Sequence, residues 1–189
     1  MSELALIPQP QQLTFTKGCF AIPRKPTVGI CCQTLASVAG QAADLLGGGS
    51  IAISVPGVAD TLALSLATDL PAGGYRLTIS KQGMKMIGVS AAALANGVRT
   101  LAQLVGQCTD GQLPCLEIND WPDFEDRGVY YDVCRGRVPE LEELMLLANS
   151  LAAYKINHLQ LYIEHTFIFR RHPKIGRGAS PLSAEDILA

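Results

Sequence analysis

Alternating and helical hydrophobic patterns succeed one another along the first 120 residues. Short alternating or β-prone runs predict about six strands, over 12–16, 26–31, 62–67, 75–80, 84–89 and 113–118. Apolar residues at helical spacing predict two helices, one over 34–46 that ends at the Gly/Ser run 47–50, and one over 91–105. This part of the chain therefore combines β and α elements.

The pairing of these elements follows from their connections. The runs at 75–80 and 84–89 are separated by Lys81, Gln82 and Gly83, which predicts a β-hairpin, and Ser90 is placed to cap the next helix. We expect an α+β domain in which an antiparallel sheet carries both helices on one face. No catalytic constellation occurs here, since the glycine run lacks the Lys-Ser/Thr of a phosphate-binding loop.

The pattern changes after the polar, proline-bearing segment 119–123, which predicts a domain boundary. A near-continuous apolar run at 128–133 is typical of a strand buried on both faces of a parallel sheet. Pro139 suits the first position of a helix. Three acidic residues in the first turn would interact favourably with the helix dipole: Glu140, Glu142 and Glu143. A second strand is predicted over 158–163, so this part contains one β-α-β crossover. A long loop follows over 164–180, and the run 183–186 predicts the capping box of another helix.

Composition and charge narrow the class of protein. The chain has 189 residues, enough for one domain or for one small domain plus a piece of another. With 48% hydrophobic residues, 17% charged residues and a net charge of −2, it is globular. The small net charge argues against nucleic acid and membrane surfaces as partners and favours a neutral small molecule.

Targeting signals and metal ligands are not evident in the sequence. The first residues lack the basic and apolar regions of a secretory signal, and no run of about 18 apolar residues occurs. We expect a cytoplasmic protein if Met1 is the native start; the alternative is the mature portion of an exported protein. The six cysteines lack zinc-ligand spacing, and reduced thiols are favoured. The histidines His158, His165 and His172 are not spaced as ligands on one helix face. We predict no metal and no cofactor.

Several segments, taken in order and spacing, resemble a known family. They are "IPQPQQLTF" at the start, "GYRLTISKQGMKMIGVSAAALANGVRTLAQLV" over 74–105, "LPCLEINDWPDFEDRGVYYDVCR" over 113–135, and "YKINHLQLYIE" over 154–164. The most specific are the hairpin and helix at 74–105 and the D-W-P-x-x-x-x-R-G junction at 120–128. The chain resembles the family 20 glycoside hydrolases, the β-N-acetylhexosaminidases. The resemblance implies that residues 1–120 form the family's non-catalytic α+β domain and that 124–189 open its (β/α)8 TIM barrel, here truncated.

The resemblance also implies a substrate and site residues. In the family, an Arg after the first barrel strand binds hydroxyls of the terminal sugar, and Arg135 matches it; the sugar belongs to an N-acetylhexosamine-terminated oligosaccharide or glycoconjugate. Asp132 and Glu164 would support this residue at the carboxyl ends of the strands. An alternative for Arg135 is simple ion pairing with Asp132 or Glu164. The second strand departs from the family's His-x-His and Asp pattern, because it carries Gln160, Tyr162 and Glu164; Glu164 is a substitute for that acid or an ordinary strand-end charge.

The family's mechanism is substrate-assisted retention, with a catalytic Asp-Glu pair at the end of the fourth barrel strand. The residues after 124 are far fewer than the about 250 of a complete barrel. The acidic pairs at 125–126 and 185–186 stand at the wrong places to replace the missing pair. We therefore expect an N-terminal fragment with no catalytic residue of its own and no hydrolytic activity.

Other interpretations remain open. The chain could instead be a non-enzymatic binding or structural module, or the N-terminal part of another barrel glycosidase such as an α-glucuronidase or an O-linked N-acetylglucosaminidase. Strands at 128–133 and 158–163 without barrel neighbours would leave open edges and apolar faces, so we expect this part to be mobile, domain-swapped or self-associated. Hydrogen exchange as slow in 124–189 as in 1–120 of a monomer would contradict that expectation.

Overall fold

The computed structural model describes residues 4–53, 60–108 and 110–188. The chain divides into two compact units, Met1–Glu125 and Asp126–Ala189. Among the described residues, no helix is both long and apolar enough to cross a membrane.

The first unit contains seven strands and two α-helices in its described part. In chain order these are β1 (Gln12–Ala21), β2 (Thr27–Ile30), α1 (Ala36–Leu45), β3 (Ser50–Ile53), β4 (Leu62–Leu66), β5 (Tyr75–Ser80), β6 (Gly83–Gly88), α2 (Ala91–Gln107) and β7 (Gln112–Asp120). A short 3-10 helix, Gln33–Leu35, leads into α1. The predicted elements are present, and β3 is an additional strand that begins at Ser50, the last residue of the Gly/Ser run expected to end the helix.

The sheet of the first unit is mixed, and the prediction of an antiparallel sheet is wrong. Its strand order is β1-β7-β5-β6-β4-β2-β3. Strands β1, β7, β5 and β6 pair antiparallel in that order, whereas β6 with β4, β4 with β2, and β2 with β3 pair parallel. The connection through α1 accounts for the parallel pair of β2 and β3, because a strand that returns after a helical crossover pairs in parallel. Strand β3 was not predicted, because it has only four residues, all of them exposed, and directly follows a glycine run.

Both helices cover one face of this sheet. Helix α1 contacts β2, β3 and α2, and α2 contacts β5 and β6. Along β5, every second residue is buried against the core, as the period of a strand requires. The buried stripe of α2 includes Leu94, Val98, Leu101 and Leu104. These contacts make a single apolar layer between helices and sheet.

Local signals around α2 are confirmed. Ser90 Oγ accepts a hydrogen bond from the Ala93 amide at 3.2 Å, so it caps the helix as predicted. The β5–β6 hairpin pairs Tyr75 with Gly88 and Ser80 with Gly83. A Cβ atom at Gly97 would lie 2.5 Å from Met86 Sδ, so only glycine permits this close approach of α2 to the sheet.

A buried polar network ties α2 to two strands. The Tyr75 hydroxyl, which is buried, donates to Asp120 Oδ2 at 2.9 Å and shares a 2.6 Å hydrogen bond with the Thr100 hydroxyl. Asp120 Oδ1 in turn accepts from the Gln11 amide at 3.2 Å. Burial, reinforced by the Asp120 charge, raises the pKa of Tyr75, so its hydroxyl stays protonated and keeps donating.

The second unit is a β-α-β crossover followed by a loop and a short helix. It contains β8 (Gly128–Asp132), α3 (Leu141–Ala153), β9 (His158–Tyr162) and α4 (Ala184–Leu188), and β8 pairs parallel with β9. The capping box predicted for the last helix is confirmed, because Ser183 and Asp186 exchange side-chain to amide hydrogen bonds of 3.0 and 2.7 Å.

Two details of the second unit differ from prediction. Pro139 is not the first helical residue, because α3 begins at Leu141 with Glu140 as its extended N-cap, held by the Glu143 side chain at 3.1 Å. Strand β8 is not buried on both faces, since Tyr130 is 60% and Tyr131 is 38% exposed. Within the described residues, β8 pairs only with β9, and the Tyr130 ring lies 5.8 Å from the Tyr162 ring, centre to centre, without being buried by it. The core of this unit is correspondingly small, with Val133, Leu144 and Leu182 at its centre.

We predict that Tyr75→Phe lowers the free energy of unfolding of the first unit by about 1–3 kcal/mol, because Asp120 and Thr100 lose a buried hydrogen-bond partner. Urea denaturation followed by circular dichroism measures the change. The matched control is Thr78→Val on the half-exposed face of the same strand, for which we expect a change below about 0.5 kcal/mol. Equal stability of Tyr75→Phe and the wild-type chain would contradict a structural role of the network.

Candidate functional site

Polar side chains of the second unit meet at the carboxyl ends of β8 and β9. The parallel register places Asp132 opposite Tyr162, the last residues of the two strands. The loop after β8 then brings Arg135 back over this edge, and Glu164 follows two residues after Tyr162. Strand pairing therefore sets Asp132 beside Tyr162, and the segments that follow the two strands add Arg135 and Glu164.

Asp132 organises the loop that carries the arginine. One of its carboxylate oxygens, Oδ1, accepts from the amides of Cys134 at 3.0 Å and Arg135 at 3.2 Å. The other, Oδ2, lies 3.1 Å from Arg135 Nη1 and forms an ion pair with it. An aspartate that accepts amides two and three residues ahead makes the tight turn that reverses the chain here.

Arg135 is held from a second side by β9. Its Nη2 donates to the Tyr162 hydroxyl at 3.1 Å and to Glu164 Oε1 at 3.2 Å. The guanidinium carbon also lies 4.8 Å from the centre of the Tyr162 ring, within the range of a cation–π interaction. The Tyr162 hydroxyl donates a short hydrogen bond to Glu164. Even so, the Arg135 side chain is 67% exposed, so a ligand can reach its guanidinium.

These contacts shift the pKa values of the cluster. The Cys134 amide is the main cause that lowers the pKa of Asp132, and the Arg135 charge contributes further. The hydrogen bond to Glu164 raises the pKa of Tyr162, which keeps this hydroxyl protonated. Interactions with Tyr162 and Asp132 raise the pKa of Arg135. The cluster thus holds a permanent cation between two acidic groups and a neutral phenol.

A polar cavity opens beside this cluster. It has a volume of about 340 Å³ and is lined by loop residues, among them Cys134, Gly136, His165 and Ser180, whereas the four residues of the cluster do not line it. The side chains that line it offer hydrogen-bonding groups, which suits a polar ligand more than an apolar one.

The structure brings together all three residues proposed from the sequence. Asp132, Arg135 and Glu164 form one connected cluster, and the ion pairs that were considered for Arg135 are present. Whether Arg135 also binds a sugar stays a prediction. Sequence reasoning missed Tyr162 as a member of the site. Its signal was the two-residue spacing from Glu164, which directs both side chains to the same side of an extended chain.

Among residues 4–53, 60–108 and 110–188, no group of three or more His, Cys, Asp or Glu side chains is arranged to hold an ion. All six cysteines are free thiols, two of them buried.

Comparison with known proteins finds similarity to glycoside hydrolases. A family model described as glycosyl hydrolase family 20, domain 2, matches residues 3–121. A β-N-acetylhexosaminidase of Cellulomonas fimi is 33% identical over 183 residues, which covers 91% of this chain and 37% of that protein. This chain therefore spans little more than a third of that relative's length.

Solved structures show the same fold. A β-N-acetylhexosaminidase of Bacteroides fragilis has a TM-score of 0.84 at 16% identity and covers 96% of this chain and 40% of its own. A family 20 exo-β-N-acetylglucosaminidase of Vibrio harveyi, solved in complex with N-acetylglucosamine, has a TM-score of 0.80 at 21% identity and covers 91% of this chain and 28% of its own.

We predict that the Asp132 carboxyl titrates below its ordinary pKa of 3.8. Because the folded-state pKa is lowered, the carboxylate stabilises the fold above the ordinary pKa, and this contribution is lost as the pH falls. Carbon-detected NMR titration of the side-chain carboxyl groups measures it. In Arg135→Gln we expect the pKa of Asp132 to rise but to stay below 3.8, since the amides of Cys134 and residue 135 still donate to the carboxylate. A wild-type value at or above 3.8 would contradict the proposed turn.

Proposed function

Because this chain belongs to glycosyl hydrolase family 20, we propose that it is the N-terminal part of a β-N-acetylhexosaminidase. Such an enzyme hydrolyses terminal non-reducing N-acetylhexosamine residues of oligosaccharides or glycoconjugates. The observation that carries the proposal is the similarity to a β-N-acetylhexosaminidase along 91% of the chain, which extends across both units.

The two units have different roles in this proposal. Residues 1–120 form the non-catalytic α+β domain, in which the described side chains build a core and a structural polar network. Residues 124–189 form the start of a (β/α)8 barrel. A parallel strand, a helix and a second parallel strand are the repeating unit of such barrels, and β8, α3 and β9 have that order. Self-association of this portion stays a prediction, motivated by the exposed Tyr130 and Tyr131.

Arg135 is the residue we propose to bind substrate. Active sites of (β/α)8 barrels lie at the carboxyl ends of the strands, where Arg135 is anchored. The fixed donors of a guanidinium suit two neighbouring sugar hydroxyls. Asp132, Tyr162 and Glu164 hold the guanidinium before any ligand arrives, so binding costs little further side-chain entropy.

The chemistry we propose for the whole enzyme is substrate-assisted retention. The 2-acetamido oxygen of the sugar attacks its own anomeric carbon, so the protein supplies an acid/base Glu and a neighbouring Asp that orients the acetamido group. The acidic residues near Arg135, Asp132 and Glu164, form ion pairs with its guanidinium and are not proposed as the catalytic pair. The 189 residues are therefore proposed to bind part of the sugar without cleaving it.

The gene sequence beyond codon 189 separates this proposal from its alternatives. An Asp-Glu pair on a β-rich segment roughly a hundred residues downstream supports the family 20 mechanism, since a barrel adds a strand about every 30 residues. A stop codon at that point supports a binding or structural module instead.

We predict that the purified 189-residue chain does not hydrolyse aryl β-N-acetylglucosaminides, because it lacks the catalytic pair. Release of the chromogenic aryl group over hours measures this. A complete family 20 enzyme under the same conditions is the positive control. Turnover above the uncatalysed background, retained through successive purification steps, would refute the proposal of inactivity.

We predict that Arg135→Ala in the longer protein lowers kcat/KM by at least about tenfold, since a lost hydrogen bond to a charged group costs roughly 1.5–3 kcal/mol. The matched control is Arg170→Ala, an exposed arginine that is also ion-paired, with Glu185 at 3.1 Å. There we expect less than about a twofold change. If the two substitutions have equal effects, the proposed role of Arg135 in substrate binding is wrong, whereas the family assignment is unaffected.

A further inference from the structure

Two adjacent cysteines in the first unit have converging side chains. Cys31 and Cys32 follow strand β2, and their sulfur atoms lie 3.7 Å apart. Cys32 has extended backbone angles, φ −159° and ψ 155°. In an extended chain neighbouring side chains point to opposite sides, so the short distance between these sulfurs is not the ordinary arrangement of adjacent residues.

The surroundings of Cys32 stabilise a thiolate. Its sulfur lies 3.1 Å from the Thr34 hydroxyl, which approaches from the start of the 3-10 helix. The hydrogen bond with Thr34 is the main cause that lowers the pKa of Cys32, followed by the Cys31 thiol, with the Thr34 and Leu35 amides adding to it. Since the thiolate is the reactive form, Cys32 is the better nucleophile at neutral pH.

Access and backbone contacts complete the site. Cys31 is exposed and Cys32 is half-buried, so a small reagent reaches the first sulfur freely and the second from one side. The Cys31 amide donates to the Leu64 carbonyl at 3.2 Å, and the Cys32 carbonyl accepts from the Leu35 amide at 3.2 Å. Both ends of the dipeptide are thus anchored, and the two thiols stay close together.

We propose that Cys31 and Cys32 form a redox-reactive modification site, in which Cys32 attacks the disulfide of an oxidised low-molecular-weight thiol and Cys31 then closes a Cys31–Cys32 disulfide. This inference is independent of the glycosidase proposal. Two neighbouring sulfurs, one of them beside a hydroxyl that stabilises its thiolate, are the groups that thiol–disulfide exchange requires.

The reaction proceeds in two exchanges. The Cys32 thiolate attacks one sulfur of the oxidant; a mixed disulfide forms, the oxidant's own disulfide breaks, and one thiolate leaves. Cys31 then gives up its proton to solvent and attacks Cys32 Sγ, which releases the second thiolate. The leaving thiolates take up protons. In total the two cysteines lose two electrons and two protons, and the oxidant is reduced to two thiols.

The product would be a readily reversible bond. Adjacent Cα atoms are about 3.8 Å apart across a trans peptide, below the spacing of about 4.4 Å or more that disulfides normally adopt. Strained disulfides of this kind are easily reduced. The site therefore suits a modification that follows the redox state of the surroundings instead of a permanent crosslink.

Oxidised glutathione is the probe for the test, applied in excess to the purified, reduced chain. Acid quenching, alkylation and peptide mapping by mass spectrometry follow each cysteine with time. We expect the peptide with Cys31 and Cys32 to lose two hydrogen atoms and to carry no glutathione at the end. Cys31→Ser should instead accumulate a stable glutathione adduct on Cys32. Thr34→Val should slow the first step at least about twofold.

Cys19, the other exposed thiol outside this pair, provides the matched control. Cys19→Ser should leave oxidation of the pair within about twofold of wild type, and in the wild-type chain Cys32 should react at least about fivefold faster than Cys19. In urea this advantage should disappear, because it depends on the folded contacts. A stable adduct in the wild-type pair, a faster reaction at Cys19, or an advantage that persists in urea would each overturn the proposal.

Discussion

Parallel strands cannot be joined by a tight turn, and this constraint organises both units of the chain. In the first unit, α1 carries the chain from β2 to β3, and the two strands pair in register from Thr27 with Ser50 onward. In the second unit, α3 carries the chain from β8 to β9 in the same way. Each crossover lays a helix beside its strands and aligns their carboxyl ends, so the positions of the core and of the polar cluster both depend on it.

Close packing in the core of the first unit fixes the position of α2 on the sheet. The close approach of α2 at Gly97 leaves no room for a larger residue. Because Tyr75 is buried in the same interface, its hydroxyl needs hydrogen-bond partners there. Thr100 from the helix and Asp120 from the end of β7 supply them. A buried carboxylate and phenol are tolerated because each satisfies the other, and an unsatisfied partner would cost more than the pair contributes.

At the carboxyl ends of β8 and β9, ion pairing and ligand binding are compatible properties of the same arginine. The contacts of Arg135 with Asp132, Tyr162 and Glu164 restrict its side chain, while most of its surface stays accessible. An arginine that is already oriented loses less entropy when it meets a sugar hydroxyl than a free one does. Exposure also limits what these ion pairs add to stability, because water and salt screen them. Their contribution in the proposed function is therefore orientation more than folding free energy.

Local features of this chain could be predicted from the sequence because they depend on neighbours within a few residues. The hairpin around Gly83, the Ser90 cap and the Ser183–Asp186 capping box are of this kind. So is the succession of Asp132, Arg135 and Glu164 at strand ends. Only the tertiary structure decided the parallel pairing of β2, β3 and β4, the exposure of Tyr130, and the contact of Tyr162 with Arg135. The physical reason is that strand partners and burial depend on residues distant in sequence, which hydrophobic periodicity does not identify.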